Sequence, residues 1–367
     1  LGGQVLLGGG GRGEGDQGDG RGRDEQGCFH ARDASAPDRS PLGREGLVSV
    51  LGWRYRGAMS RPAVLIAQSH LHPLGDLLEG SYDVYRLWEG PPSEAASQIG
   101  ALIVDGAYPL DKALVESLSG LGLIACFTAG HDGIDVEWCQ ARGLAVTHAP
   151  AVNHEDVADH ALGLILAARR EIPRGDRELR AGHWTPDFRI LTQSLRNQRV
   201  GIVGMGSIGQ ALAPRCEALR MTVSWWGPRP KPELGWPRAD SLLDLAKDSD
   251  ILVVACKADD SNRGLISQAV IEALGPQGLL VNVARGQLID EAAMIAALQS
   301  GRLGQAALDV FEVEPTDPER WAGVPNTVLT PHTAGATREA VQGMLALLLG
   351  NLTAHFSGEP LKTPLTV

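Results

Sequence analysis

Cysteine is scarce and follows no pairing pattern. The five cysteines (Cys28, Cys126, Cys139, Cys216, Cys256) are odd in number, and no two stand in a CxxC spacing. That argues against a disulfide framework or a zinc ribbon and for reduced thiols, as in the cytoplasm. No metal site is expected. Long apolar runs are also missing. The stretches at 161–168 and 344–349 fall far short of the roughly 18 residues a membrane span needs and read as buried helix faces. No signal-peptide pattern is visible. Positive charge is in deficit, with 33 Lys and Arg against 44 Asp and Glu and a net charge of -11. Such a surface repels nucleic acid and anionic lipid, so neither is expected as a partner. What is present is ordinary globular material. There are 367 residues, 43% of them hydrophobic, enough for two domains with buried cores.

Residues 1–58 differ in kind from the remainder. They are crowded with Gly, Arg and Asp (GGGGRGEGDQGDGRGRDEQG) and lack a periodic apolar pattern, so disorder is expected. Met59 directly precedes the first clean strand pattern at 63–67. We therefore expect 1–58 to be a non-native extension translated from upstream sequence, the rival reading being a flexible binding tail. Intact-mass analysis of the native protein tests this: a species beginning at Met59 is expected, and one carrying the leader would refute it.

From residue 63 onward, short apolar or β-branched runs alternate with helical patterns. The runs are AVLIA (63–67), ALIV (101–104), LIACF (123–127), LAVT (144–147), RVGIV (199–203), TVSWW (222–226), ILVVA (251–255), LLVNV (279–283), AALDV (306–310) and TVLT (327–330). Helix-length segments lie between them, among them 111–118, 155–171, 208–219, 290–300 and 338–356. This alternation, with nearly continuous apolar strands, predicts an α/β fold of parallel sheets covered on both faces. Ten strands fit two doubly wound sheets better than one. The segment 155–171 is apolar on more than one face, as a core helix or a helix shared between domains or subunits would be. The segment 172–199 reads as a polar, irregular arm.

The strongest local signal is RVGIV-Gly204-Met205-Gly206-Ser207-Ile208-Gly209, followed by an amphipathic helix. A bare GxGxxG says little, but here it follows a strand and opens a helix, the context that dinucleotide binding requires. Gly204 permits the tight turn, Gly206 lets a pyrophosphate approach, and Gly209 allows close helix packing. The helix N-terminus then offers its unpaired N–H groups to the phosphates. An NAD site usually carries an acid at the end of the next strand. This chain instead has WWGPRPK, with Arg229 and Lys231 and no acid before Glu233. The two cations suit a 2′-phosphate, so NADP is expected in preference to NAD.

Three motifs stand at later strand ends: Val283-Ala284-Arg285-Gly286, ALDVFEVEP with Asp309 and Glu314, and TPHTAG with His332 and Gly335. Taken singly, Arg285 reads as a structural ion-pair partner and His332 as a turn residue. The ordered set GMGSIG, NVARG, ALDVFEVEP and TPHTAG resembles the D-isomer-specific 2-hydroxyacid dehydrogenase family over nearly all of 60–367, with the glyoxylate, hydroxypyruvate and hydroxyphenylpyruvate reductases most similar. The resemblance implies two Rossmann- or flavodoxin-like domains with a cleft between them. The substrate domain would comprise 59–152 plus 338–367, and the dinucleotide-binding domain 153–337. It implies Arg285 as the substrate arginine, His332 as the proton donor and Glu314 as the acid that orients it. Ala129 and Gly130, in FTAGHDGID, would give substrate carboxylate their backbone N–H groups. Ala284, Asp309 and Gly335 would border the cofactor, with Asp309 behind the reacting groups. His131, His148, His154 and His160 form no metal spacing and read as structural. The implied partner beyond a small 2-oxo or 2-hydroxy acid is a second copy, docked through 154–195.

The chain departs from the family pattern at Cys256-Lys257-Ala258-Asp259-Asp260, where a Pro-Leu-Thr-like stretch is common. It departs again after Gly182-His183-Trp184, where the residue that would reach a partner's site is ambiguous. The chemistry agrees with the resemblance. A guanidinium can clamp a 2-oxo acid, and an imidazole titrating near neutrality can protonate the oxygen as hydride arrives. The reading from another class is a dinucleotide-sensing binding protein, which turnover of a 2-oxo acid would exclude.

Overall fold

The structure is a computed structural model that describes residues 61–366; the expected extension over 1–58 lies outside the described residues. The first half runs β1 (Ala63–Ile66), α1 (His72–Leu78), β2 (Asp83–Arg86), β3 (Ile99–Val104), α2 (Lys112–Ser117), β4 (Leu123–Cys126), α3 (Val136–Gln140) and β5 (Ala145–Thr147). Next come α4 (His154–Arg169), α5 (Ile172–Arg180), β6 (Arg199–Val203), α6 (Ser207–Ala218), β7 (Thr222–Trp226), α7 (Leu242–Lys247) and β8 (Ile251–Val254). The chain continues through α8 (Gln268–Leu274), β9 (Leu279–Asn282), α9 (Glu291–Gln299), β10 (Gln305–Leu308), α10 (Pro318–Ala322), β11 (Thr327–Leu329) and α11 (Arg338–Ser357).

Two sheets result, in the orders β2-β1-β3-β4-β5 and β11-β10-β9-β8-β6-β7, with every pairing parallel. This is the doubly wound α/β architecture that the alternation of apolar runs predicts. β1, β4, β8 and β9 are buried at every position, as strands covered on both faces must be. In the second sheet a parallel bridge joins Trp225 to Arg238 beside β7. Counting that segment restores the dinucleotide-fold order 3-2-1-4-5-6, with β11 as a seventh strand at the far edge. The third strand shrinks to one residue pair because Pro228, Pro230, Pro232 and Pro237 each remove a ladder donor.

Two elements depart from the sequence expectation. β2, Asp-Val-Tyr-Arg, is an eleventh strand; it is half-buried throughout at a sheet edge, so it carries no apolar run. The segment expected to be an irregular arm from 172 to 199 begins with α5, entered through a proline in its first turn. Its apolar residues Ile172 and Leu179 stand seven apart, too sparse to reveal a buried stripe, and both are exposed.

Packing assigns the long helices. Val157, Ala161, Leu164 and Ile165 of α4 are buried with Val200, Ile202, Val253 and Val281 of the second sheet. Ala340, Met344, Leu345, Leu348 and Leu352 of α11 are buried with Val64, Ile66, Ile103 and Leu123 of the first. Arg169, 1% exposed, closes α4. It donates to the Gln198 and Gln305 side chains and to the Asp250 and Gln277 carbonyls, pinning the amino ends of four strands. Burial pushes its pKa down to about 10. No described helix is long and apolar enough to cross a membrane.

Candidate active site

In open parallel sheets, ligands bind beyond the carboxyl ends of the strands, where the strand order reverses. In the second sheet that point lies between β6 and β8. The loop after β6 turns at Gly204, whose φ of +96° favours glycine. A Cβ there would also press on the Cys256 backbone after β8. Nothing lies within 4 Å of the place a Cβ at Gly206 would occupy, and no side chain caps α6. That leaves an open cradle at a helix N-terminus, with Gly206 and Ser207 exposed, Ile208 half-buried and Met205 buried beneath. The residues therefore fit a dinucleotide pyrophosphate. Lys231 Nζ donates to the Met205 carbonyl at 2.8 Å, bracing this loop. Arg229, two residues earlier, is exposed. Arg238, which sequence reasoning missed, donates to the Gly227 carbonyl at 2.8 Å and adds a third cation there.

The next strand ends bear the candidate reacting groups. His332 follows β11 with a left-handed φ of +53°, sparsely populated by non-glycine residues. Its Nδ1 lies 2.6 Å from Glu314 Oε2. Glu314 Oε1 accepts from the Phe311 N–H at 2.9 Å, so the carboxylate is held at both oxygens. The hydrogen bond to Glu314 raises the His332 pKa above the ordinary imidazole value, against the opposing effect of burial. Burial pushes Glu314 up, but the bonds from His332 and Phe311 outweigh it, and its pKa is lowered. Both shifts favour an imidazolium beside a carboxylate, and His332 Nε2 has no hydrogen-bond partner among the described residues.

Arg285 follows β9. Buried Asn282 fixes its turn, donating to the Arg285 carbonyl and accepting from Ala284 N–H. The next residue, Gly286, packs so closely on Phe311 and Glu312 that a Cβ would overlap their backbone, which binds the Arg285 turn to the loop bearing Glu314. The guanidinium reaches the loop after β4. Its Nε and Nη2 donate to Asp132 at 3.1 and 2.8 Å, and a Cβ on Gly130 would collide with Nη2. The N–H groups of Ala129 and Gly130 have no acceptor among the described residues, so both remain available beside Arg285.

Asp309, 1% exposed, touches none of the open space. It accepts from the Thr330 hydroxyl and from the Thr333 and Ala334 N–H groups. Ala284 is buried, and Gly335 packs on Asn153 where α4 begins. Lys257 is exposed. Of the four histidines read as structural, His148 bonds the Ala129 carbonyl and His154 that of Ala151. His131 packs edge-on to His148, and its buried Nδ1 has no partner among the described residues. His160 bonds Thr330. Among the described residues, no cluster of ligands could hold a metal ion. Asp132 and Asn282 were invisible to sequence reasoning as site residues, since each sits inside a motif read for its neighbours.

Residues 162–334 match the model of the D-isomer specific 2-hydroxyacid dehydrogenase NAD-binding domain. The chain is 40% identical over 292 residues to a glyoxylate/hydroxypyruvate reductase of Arabidopsis thaliana, covering 78% of this chain and 93% of the relative. It is 41% identical over 293 residues to hydroxyphenylpyruvate reductase of Plectranthus scutellarioides, with the same coverage. A solved structure of an NADPH-dependent glyoxylate/hydroxypyruvate reductase from Sinorhizobium meliloti, in complex with NADP and malonate, superposes with a TM-score of 0.77. It shares 34% identity over 84% of this chain and 97% of that one. A nicotinamide-dinucleotide cradle, an acid-backed imidazole and this breadth of similarity converge, and the chain belongs to the D-isomer specific 2-hydroxyacid dehydrogenase family.

Proposed function

We propose that this protein reduces small 2-oxo acids such as glyoxylate or hydroxypyruvate to D-2-hydroxy acids, preferring NADPH. The observation that carries this reading is the Glu314–His332 ion pair, joined through Gly286 and Phe311 to the turn that presents Arg285. When bound, the dinucleotide supplies the hydride. Arg285 and the free N–H groups of Ala129 and Gly130 hold the substrate carboxylate and orient the carbonyl. His332 donates the Nε2 proton to the oxygen as charge builds on it, and Glu314 keeps the imidazole charged and aimed.

The packing of α4 and α11 supports a substrate domain of 59–152 plus 338–367 around an inserted dinucleotide domain of 153–337. Arg229, Lys231 and Arg238, with no carboxylate at the end of β7, support the preference for NADPH. A larger substrate, hydroxyphenylpyruvate, is the second reading, because the plant reductase named for it is as similar as the glyoxylate/hydroxypyruvate reductase. Free thiols at Cys126, Cys139, Cys216 and Cys256 suit a reducing, cytoplasmic setting. A homodimer is supported by a groove of about 630 Å³ between α4, α5 and β11 and by the exposure of the apolar side chains Ile172, Leu179, Trp184 and Leu191. Equilibrium sedimentation is expected to give twice the chain mass, and a monomer at micromolar concentration rejects the dimer.

Dinucleotide consumption with glyoxylate, hydroxypyruvate and 4-hydroxyphenylpyruvate tests the function. Turnover with at least one is expected, with kcat/KM for NADPH roughly tenfold or more above NADH, about 1.4 kcal/mol. A preference for NADH overturns the cofactor reading, and binding without turnover favours the dinucleotide-sensing alternative. The roles of the pair are read separately. Reduction requires protonated His332, so it is expected to fall as pH rises through the raised His332 pKa. In Glu314→Gln that alkaline limb should move down toward the ordinary imidazole value of about 6.5. His332→Ala should lower kcat by about two orders of magnitude or more while leaving NADPH affinity in place; unchanged turnover ends the assignment.

A further inference from the structure

We propose that His160, a residue of α4 with no place in the chemistry above, is a positioning residue for the reacting pair. Acting through Thr330 and Asp309, it fixes the turn from which His332 reaches substrate. The inference rests on the reading of His332 as proton donor. His160 Nε2 lies 2.9 Å from Thr330 Oγ1 and 3.4 Å from Asp309 Oδ1. The Thr330 hydroxyl proton is committed to Asp309 at 2.6 Å, so Oγ1 must accept from the imidazole. Nε2 therefore carries hydrogen, and the relay has one direction: His160 to Thr330 to Asp309.

Asp309 directs both carboxylate oxygens and its carbonyl at the turn. Its side chain takes the N–H groups of Thr333 and Ala334, each at 2.9 Å, and its carbonyl takes that of His332 at 2.8 Å. These bonds span the residue held in the left-handed region, a conformation that costs of order 1–3 kcal/mol and persists only where its surroundings dictate it. A carboxylate this buried also needs every donor it has, since each one lost leaves charge that water cannot reach. Removing the imidazole takes away the donor that orients Thr330 and the ring nitrogen that lies 3.4 Å from Asp309 Oδ1. The turn then relaxes, and His332 leaves the register that brings Nδ1 to Glu314. Three strand-distant positions, 160, 309 and 330, thus act on one torsion. The charged and titratable groups around this relay are His332, Arg285 and Glu314 on one side and, on the other, Asp159 and Arg177, which line the same groove as His160.

Two substitutions separate positioning from bulk. His160→Leu fills the space without a donor, while His160→Gln places an amide N–H near the position of Nε2. In H160L, kcat is expected to fall about tenfold or more, as misplacement of a reacting group predicts. KM for the 2-oxo acid and Kd for NADPH should stay within about twofold, and the alkaline limb should shift down. H160Q should recover most of the rate. NMR titration of the His332 imidazole reads the same relay without substrate, and should show a lower pKa in H160L than in wild type. That readout keeps the inference testable even if the wild-type chain turns over none of the acids offered. Should H160L not fold, Thr330→Val, which deletes the same hydroxyl link at constant volume, is expected to give the same pattern. A folded H160L with wild-type kcat and His332 titration overturns the proposal, as does an H160Q no better than H160L.

Discussion

One ion pair joins the ends of the two sheets at the candidate site. Arg285 belongs to the end of β9 and Asp132 to the loop after β4, yet their side chains share hydrogen bonds of 2.8 to 3.1 Å. A guanidinium has five N–H donors. Nε–H and one hydrogen of Nη2 go to Asp132, and one of Nη1 goes to the Ala284 carbonyl at 2.8 Å. One hydrogen on each terminal nitrogen remains, forming the fork that matches a carboxylate. Asp132 therefore fixes the plane of the Arg285 fork and leaves free the edge that the proposed function assigns to a substrate carboxylate. Burial pushes Asp132 upward, but its bonds to Arg285 prevail and hold its carboxyl below the usual range, so the pair stays charged near neutrality. Gly130 is part of the same constraint, since any side chain there would displace Nη2.

Much of this was legible in the sequence because parallel strands buried on both faces must be apolar throughout. The runs at 199–203 and 222–226 coincide with β6 and β7. The glycine motif likewise declares its backbone: at Gly204, positive φ and close approach leave no other residue suitable. What stayed hidden is of another kind. β2 lies at an edge and needs no apolar run, and the strand at Arg238 is too proline-rich to show as one. Asp132, Asn282 and His160 act through hydrogen-bond partners 3 to 170 positions away. Periodicity carries no information about such pairings, because any acid, amide or imidazole on a polar loop or helix face has the same local signature. Glu291 is a further example. It reads as an ordinary first-turn acid, yet it is 5% exposed, accepts from the Glu312 N–H at 3.0 Å and pairs with Arg320, bracing the loop of Glu314 from behind.

These supports also explain how a chain of net charge -11 can serve anionic ligands. Bulk charge acts over a Debye length of about 8 Å at physiological salt, so a cleft is governed by what lines it. The phosphate end has the unpaired N–H groups of α6, worth about half a positive charge, with Arg229, Lys231 and Arg238 nearby. The acid end has Arg285 and an imidazolium, but also Asp132 and Glu314, so its charged side chains sum close to zero. Under the proposed function a substrate monoanion is held by directed donors rather than by excess charge, and the two side-chain donors, Arg285 and His332, are each fixed by a carboxylate. The acids at this site make it selective for geometry. A site built from unpaired cations would bind carboxylates more indiscriminately and would depress the pKa of the imidazole that must give up a proton. Pairing His332 with Glu314 does the opposite, keeping the proton available near neutral pH while the surrounding charges balance.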